Sequence, residues 1–255
     1  MSKLVLEFVC VRQYDKSMRI LEYIVGFVMS LALVLILLIT AVEAVVYWSP
    51  DYFKSEYEKY DVTTSVEMEM EDLLHVTDEM MAYLRGDREE LQVPTMVAGQ
   101  SRGFFSAREI AHMADVKELF FGGMMIRRWA IVVFVVCFGW LFLRKRLLLT
   151  PKFLLWGILG VLVVCAVSGL IVATDFHKYF VIFHHIFFDN DLWLLDPKTD
   201  LLIRIVPQPF FVDTTLRIVL TFGGWLVAVL MICSFFVWRQ RVMQRQSHDT
   251  RRTAA

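Results

Sequence analysis

Histidine is the residue type in this sequence that points most directly to chemistry. Its side chain takes up and releases a proton near neutral pH, so a group of histidines is typical of a proton-transfer site. Five of the six histidines fall in two polar stretches that separate long apolar runs, and these five are His75, His112, His177, His184 and His185. The pattern indicates acid/base catalysis at one surface of a membrane.

His112 shares a predicted helix face with two charged residues. Arg108 and Asp115 lie at positions i−4 and i+3 from His112, a spacing that places all three side chains on one face. A carboxylate beside an imidazole can orient the ring, fix its tautomer and stabilise its cation, which a general base requires. The same pattern is typical of a solvated helix face, and these residues alone leave both interpretations open.

The second group of histidines lies in an aromatic stretch. His177 and His184 are seven residues apart, or two helical turns, so they would share a helix face. Phenylalanines surround them, as expected at a lipid interface, and ionisable groups at membrane depth are often functional. A buried histidine with only a structural hydrogen bond is an equally weighted alternative.

Other catalytic groups are scarce in these two polar stretches. None of the four cysteines lies there, so we expect neither a disulfide nor a cysteine nucleophile. The serines form no G-x-S-x-G elbow, and no H-E-x-x-H or paired-cysteine spacing marks a metal site. We therefore expect histidine catalysis without a protein nucleophile, a cofactor or a metal. A metal-dependent membrane hydrolase remains an alternative because histidines and acids are both present.

Four apolar runs predict a membrane protein. Hydrophobic residues make up 57% of the 255-residue chain, which is too apolar for an ordinary soluble domain. A bilayer core about 30 Å thick needs about 20 apolar residues in each helix. We predict one integral membrane domain over residues 1–255, with transmembrane helices at about 20–48, 125–143, 153–174 and 216–238.

The charges predict the orientation of these helices. Basic residues precede the first run, link the second to the third and follow the fourth. The positive-inside rule then places both termini in the cytoplasm of a cell membrane. The outer segments 49–124 and 175–215, and the candidate site within them, would face the outside.

Local signals predict two amphipathic helices in the first outer segment. The patterns Thr64–Glu67 and Ser106–Glu109 are capping boxes, in which a hydroxyl and a carboxylate three residues apart bond to backbone N–H groups at a helix start. The first helix would end at Gly86. The second would cover Ala107–Phe121 and carry His112.

A turn signal predicts a hairpin in the second outer segment. Apolar residues lie on both sides of Asp196–Asp200, so we predict a β-hairpin over Leu192–Val206 on the outer membrane face, with Trp193 at the lipid interface. The predicted fold class is therefore an all-α membrane protein. It has four transmembrane helices and a small extracellular α/β cap of amphipathic helices plus a β-hairpin.

Two motifs resemble the lipoprotein intramolecular transacylases, small integral membrane proteins of Gram-positive bacteria. They are Ser106–Lys117 (S-A-R-E-I-A-H-M-A-D-V-K) and Phe183–Pro197 (F-H-H-I-F-F-D-N-D-L-W-L-L-D-P). The short element Tyr83–Gly86 and the segment from Pro207 to Phe211 also resemble parts of the family. The doubled histidine departs from the family pattern, and the family histidine aligns with His184.

The resemblance implies one reaction. In this family the sn-2 acyl chain of a diacylglyceryl-modified lipoprotein moves to the free α-amine of its N-terminal cysteine, which gives the lyso-form lipoprotein. Nucleophile and electrophile then belong to one substrate, and holding them together can lower the barrier by several kcal/mol, up to about 7–11. The expected partners are this lipoprotein and membrane lipid, with no nucleic acid.

Together, the residues and the resemblance assign roles at the site. His112 is the expected general base and His184 its partner, which donates to the oxyanion or the leaving oxygen. The supporting residues are Asp115, Lys117, Arg108 and His185. A non-enzymatic membrane sensor or lipoprotein-binding partner is the alternative from another class.

Overall fold

The computed structural model describes the backbone of residues 3–253 and the side chains of residues 17–246. Several of the basic residues behind the predicted orientation, among them Lys3, Arg12 and Arg251, lie outside the described side chains. The elements in chain order are α1 (Lys3–Tyr47), α2 (Tyr52–Lys59), α3 (Val62–Val66), α4 (Met70–Arg85), β1 (Pro94–Val97), β2 (Gln100–Gly103), α5 (Ala107–Leu143), a 3-10 turn (Leu147–Leu149), α6 (Thr150–Thr174), α7 (Phe176–Phe187), α8 (Leu202–Ile205) and α9 (Gln208–Thr253).

The predicted four membrane helices are confirmed. Within the described part of the chain, four helical stretches are long and apolar enough to cross a bilayer, namely Ser17–Tyr47, Ala107–Leu143, Leu147–Thr174 and Gln208–Gln246. With a small two-stranded antiparallel sheet, they confirm the predicted fold class. The protein is a multi-pass membrane protein.

The chain divides into two compact units. One comprises residues 1–38, 127–167 and 222–255, and the other comprises residues 39–126 and 168–221. The second unit holds all five histidines of the two polar stretches. That residues 1–255 form one membrane domain stays a prediction.

In the first unit, α1 and α6 approach closely at small residues. A Cβ atom on Gly157 would lie 2.4 Å from the Cβ of Ser30, so this approach requires glycine. The Ser30 hydroxyl donates to the carbonyl of Phe153 at 3.1 Å. The buried Glu22 accepts from Arg146 at 2.9 Å. Small residues and polar contacts of this kind are typical of helix packing in membranes.

The second unit has its own hydrophobic core. Its fully buried members include Tyr57 of α2, Leu73 of α4 and Phe104 after β2. Gly86 ends α4 as predicted, in the left-handed conformation at φ 90°. A Cβ atom there would lie 2.6 Å from the Phe121 ring, so both the backbone and the packing require glycine.

The predicted start of this helix at Thr64 is wrong. Residues Val62–Val66 form the separate helix α3, and Glu67 ends it at φ 56°. The Thr64 hydroxyl donates to the Asp61 carboxylate at 2.7 Å. A hydroxyl inside α3 cannot cap the helix that follows, and α4 begins at Met70.

The hairpin is present but lies elsewhere in the chain. It joins β1 to β2 through Ala98 and Gly99, both with positive φ, as the tightest hairpin turns require. In the predicted position, Asp196 does begin a turn, whose carbonyl accepts from Asp200 N at 2.8 Å. A short helix, α8, follows in place of a strand. The reason is that the apolar residues after the turn are buried at helical rather than alternating spacing.

Helix α5 is longer than predicted. The amphipathic helix expected to end at Phe121 and the apolar run expected from about 125 form one continuous helix, Ala107–Leu143. At 1.5 Å per residue it is roughly 55 Å long, well beyond the bilayer core. Gly122 and Gly123 do not interrupt it, because a glycine costs a helix only about 1 kcal/mol relative to alanine. His112 therefore lies in the first turns of a helix that also contains one of the predicted apolar runs.

Candidate active site

The two histidines predicted to act together are neighbours. The ring centres of His112 on α5 and His184 on α7 lie 6.2 Å apart, at an angle of 32° between the ring planes. His112 is 8% exposed and His184 is 7% exposed. Residues 72 positions apart in the chain thus form one buried pair.

Aromatic side chains enclose this pair. Phe188 contacts both rings, with its centre 5.4 Å from that of His112 and 5.5 Å from that of His184. Phe180 lies 4.2 Å from His184 on one side, and Trp193 lies 4.7 Å from it on another. The imidazoles therefore sit in a largely apolar environment, where electrostatic interactions are stronger than in water.

A backbone hydrogen bond fixes the tautomer of His184. Its Nδ1 lies 2.7 Å from the carbonyl oxygen of Phe180, one turn earlier in α7. A carbonyl can only accept, so Nδ1 carries the proton and Nε2 of the neutral ring carries the lone pair. Burial lowers the pKa of His184, and the charge of His185 acts in the same direction, against the Phe180 carbonyl, which raises it. The neutral form with an accepting Nε2 is therefore favoured at neutral pH.

Two buried polar atoms in this cluster have no hydrogen-bond partner among the residues that the structure describes. They are Nδ1 of His112 and Nε1 of Trp193. Trp193 is 8% exposed, so its ring packs inside the protein. Its predicted position at the level of the lipid interface stays a prediction. The residue is drawn inward because its ring packs between His184 and His185. Buried polar atoms are nearly always paired, so these two nitrogens are candidates for contact with a substrate.

A capping box positions the first turn of α5. As predicted, Glu109 accepts from Ser106 N at 2.6 Å, and the Ser106 hydroxyl accepts from Glu109 N at 3.3 Å. The second oxygen of Glu109 accepts from Leu202 N at 2.6 Å. Glu109 is only 1% exposed. One buried carboxylate thus holds the start of α5 to the start of α8.

The charged neighbours of His112 hold the segment that carries Trp193. Asp115 accepts from the side-chain amide of Asn190 at 2.9 Å. Arg108 donates to the backbone carbonyl of Asp191. Neither contact involves the His112 ring. Both residues lie on the same face of α5 as His112, as predicted, but this face contacts the loop at Asn190 and Asp191.

The other histidines and the supporting lysine have separate contacts. Lys117 donates to the carbonyl of Arg88 at 2.9 Å and lies over the Tyr83 ring at 3.9 Å. His185 is exposed, with its ring edge against Trp193. His177 is also exposed and bonds to Gln208, while His75 lies on the exposed face of α4. Among the five histidines of the two polar stretches, the structure therefore brings His112 and His184 together.

Sequence reasoning missed the aromatic walls of this cluster. From the sequence we expect the phenylalanines and Trp193 at the lipid interface. In the structure, the histidine rings contact Phe180, Phe188 and Trp193. One available signal was position on α7: Phe180 precedes His184 by four residues, and Phe188 follows it by four. Residues at this spacing share a helix face or its extension.

Comparison with known proteins places the chain in a family. The family model of the lipoprotein intramolecular transacylase Lit matches residues 27–211. A curated relative, an uncharacterized protein of Aquifex aeolicus (strain VF5), is 32% identical over 116 residues, which make up 44% of this chain and 48% of that protein. The chain thus spans about half the length of the curated relative it matches.

Solved structures have the same fold. The membrane-integral lipoprotein intramolecular transacylase Lit of Bacillus cereus is 24% identical, with a TM-score of 0.75 over 87% of this chain and 98% of that one. A variant of the same protein with one histidine replaced by arginine is 23% identical, with a TM-score of 0.76 over 91% of this chain and 99% of that one. Since the family model covers most of the sequence, this protein belongs to the lipoprotein intramolecular transacylase family.

Proposed function

We propose that the protein moves the sn-2 acyl chain of a diacylglyceryl-modified lipoprotein to the α-amine of its N-terminal cysteine. The observation that supports this most is the buried pair of His112 and His184 in a chain of this family. Neutral imidazoles in an apolar cluster are suited to moving a proton between substrate atoms. A single substrate that holds both the amine and the ester needs no protein nucleophile.

The proposed reaction has two bond changes at one carbonyl carbon. The amine nitrogen forms a bond to the acyl carbon, and the C=O electron pair moves onto the oxygen to give an oxyanion. The oxyanion then restores the C=O bond, and the bond to the sn-2 oxygen breaks. One proton travels from the amine to that leaving oxygen, so the atoms and charges balance.

The tautomer of His184 suggests how this proton moves. Nε2 of the neutral ring accepts the proton from the attacking amine, and the resulting cation delivers it to the sn-2 oxygen. His112, whose Nδ1 has no partner among the described side chains, accepts a hydrogen bond there from the second amine N–H and positions the nucleophile. The proposal thus gives the proton transfer to His184, whereas the sequence suggested His112. Both remain proposed catalytic residues.

We place the site at the outer face of the cell membrane, with both termini in the cytoplasm. The basic residues between the second and third spans include Arg144, Lys145 and Arg146, and the positive-inside rule assigns such a link to the cytoplasm. The outer segments are joined to the opposite ends of the spans. The lipoprotein would then reach the histidines from the outer leaflet.

The metal-dependent alternative receives no support from the side chains. Among residues 17–246, no group of three or more His, Cys, Asp or Glu side chains is placed to hold a metal ion. A non-enzymatic binding partner would retain the lipid but leave its acyl chains in place. Product analysis separates that alternative from an enzyme.

The test is mass spectrometry of a lipoprotein N-terminal peptide from cells that lack or express this protein. Wild type should convert the diacylglyceryl form to the lyso form. His112→Ala and His184→Ala should each lower the rate by about 10²–10⁴-fold, and the double variant should be little worse than either, because the two act as one unit.

The exposed His75 and His177 provide matched controls. His75→Ala and His177→Ala should keep most of the activity at equal expression. Full acyl transfer in both His112→Ala and His184→Ala would refute the mechanism. Unchanged acylation with wild type present would favour the binding-partner alternative instead.

A further inference from the structure

We infer that the indole N–H of Trp193 binds the acyl carbonyl oxygen of the substrate and stabilises the oxyanion that forms on it. This inference rests on the proposed function and adds a residue to it. Trp193 lies in the loop between α7 and α8, and no feature of its sequence position identifies such a role. The assignment comes from the surroundings of one nitrogen atom.

The indole nitrogen is buried without a partner. Trp193 is 8% exposed, and its Nε1 contacts no hydrogen-bond acceptor within the part of the protein that the structure describes. An indole N–H can only donate. Leaving a buried donor unpaired costs about 1–3 kcal/mol, so a site that retains one is organised to receive an acceptor from outside the chain.

The position of this donor is next to the proposed proton carrier. The ring centre of Trp193 lies 4.7 Å from that of His184, and the two planes are inclined by only 32°. If the substrate amine gives its proton to His184, the acyl carbon that it attacks must also lie beside the His184 ring. The carbonyl oxygen of that carbon is therefore within the region that Trp193 borders.

His184 cannot supply this hydrogen bond before it is protonated. Its Nδ1–H is committed to the Phe180 carbonyl, and its Nε2 accepts while the ring is neutral. The nearest charged donors on α5 point their observed hydrogen bonds elsewhere, since Arg108 donates to the Asp191 carbonyl and Lys117 to the Arg88 carbonyl. The Trp193 N–H, by contrast, has no acceptor among the described residues.

The loop around Trp193 is held firmly enough for this task. Asn190 donates to Asp115 at 2.9 Å, and the Asn190 side chain also accepts from Leu192 N at 3.0 Å. On the other side, Leu195 N donates to the Trp193 carbonyl at 3.0 Å. A donor fixed in advance stabilises developing charge without a reorganisation cost at the moment of reaction.

The test replaces the N–H and keeps the ring. Trp193→Phe preserves an aromatic side chain against His184, and Trp129→Phe, at a tryptophan that is 65% exposed on α5, is the matched control. Purified protein is assayed in mixed micelles with a synthetic diacylglyceryl lipopeptide. Loss of one oxyanion donor lowers kcat by about 10²–10³-fold, so we expect that loss with a nearly unchanged KM and unfolding temperature.

A tetrahedral inhibitor separates this role from a structural one. A lipopeptide with an anionic phosphonate in place of the sn-2 ester should bind wild type and Trp129→Phe equally. It should bind Trp193→Phe weaker by a factor similar to the loss in kcat. Equal inhibition of wild type and Trp193→Phe, or a parallel loss of substrate binding and folding, would overturn the inference.

The outcomes also separate this inference from the proposed function. If wild type transfers the acyl chain, His184→Ala does not, and Trp193→Phe retains full kcat, only the role of Trp193 is wrong. If wild type transfers no acyl chain to the amine, the proposed function fails and the inference fails with it.

Discussion

Replacement of Glu109 by glutamine tests how the site is held together. The Glu109 carboxylate is 1% exposed and accepts from Ser106 N and from Leu202 N, both at 2.6 Å. A glutamine oxygen can replace only one of these acceptors. Its NH₂ group would then face the other backbone N–H, and two donors cannot bond to each other.

The expected destabilisation follows from the bonds that are lost. Hydrogen bonds to charged groups contribute about 1.5–3 kcal/mol each, and an unpaired buried donor costs about 1–3 kcal/mol. Since the two terms overlap, we expect Glu109→Gln to lower the free energy of unfolding by about 2–4 kcal/mol. At about 2–4 °C per kcal/mol for a chain of this size, the unfolding temperature should fall by about 5–15 °C.

The assay is thermal unfolding of the purified protein in detergent, followed by tryptophan fluorescence. Glu118→Gln is the matched control, because Glu118 lies on the same helix and is exposed. A surface change of this kind stays within about 0.5 kcal/mol. If Glu109→Gln unfolds at the same temperature as Glu118→Gln and wild type, then the carboxylate does not hold α5 to α8.

Two further changes test the charged neighbour of His112 and the orientation. Asp115→Asn keeps an oxygen that can accept from Asn190, so lyso-form production should stay near wild type, whereas Asp115→Ala should lose about tenfold. Burial lowers the pKa of His112, and the Asp115 carboxylate opposes this shift. Equal losses in both variants would mean that this charge, rather than the hydrogen bond to Asn190, supports the reaction. In a cysteine-free background, an impermeant thiol reagent should label Lys198→Cys but not Gln246→Cys in intact cells, and labelling at position 246 before lysis would reverse the proposed orientation.

Short-range signals predicted the ends of elements well. Ser106 and Glu109 form the capping box that their spacing indicates, and Gly86 ends α4. Both depend on contacts within a few residues, which a sequence displays directly. Thr64 failed under the same rule because Asp61, three residues earlier, takes up its hydroxyl. A local pattern is thus reliable only where no nearer partner competes.

The two hairpin-like segments show where local reasoning stops. Leu201, Leu202 and Ile205 are buried at helical spacing, and the N–H of Leu202 at the start of α8 is held by Glu109, 93 residues earlier in the chain. The sequence near Asp196 does not include Glu109, so a local pattern cannot predict this hydrogen bond. The true hairpin turn, Ala98–Gly99, has the weaker apolar alternation but the backbone that the turn needs.

Some features of the site can be predicted from residue type, and others depend on how the folded chain packs. His112 and His184 stand out by residue type, and the family resemblance paired them. The proposal uses His184 rather than His185 because α7 turns the His184 ring toward Phe180 and His112, whereas His185 is exposed. Whether the Trp193 nitrogen has a partner depends on how all the surrounding segments pack. Only the folded structure therefore shows that it has none among the described residues.

The first turns of α5 explain why so few polar groups remain for chemistry. Arg108, Glu109 and Asp115 contact Asp191, Leu202 and Asn190 in turn, all in the segment that follows α7. The charged side chains around His112 thus serve to hold that segment, and with it Trp193, against the histidine pair. In the proposed reaction the substrate brings its own nucleophile and electrophile, so the protein needs only a proton carrier and a donor for the oxyanion. In this proposal the two imidazoles carry the proton and position the amine, and the indole N–H is the donor for the oxyanion.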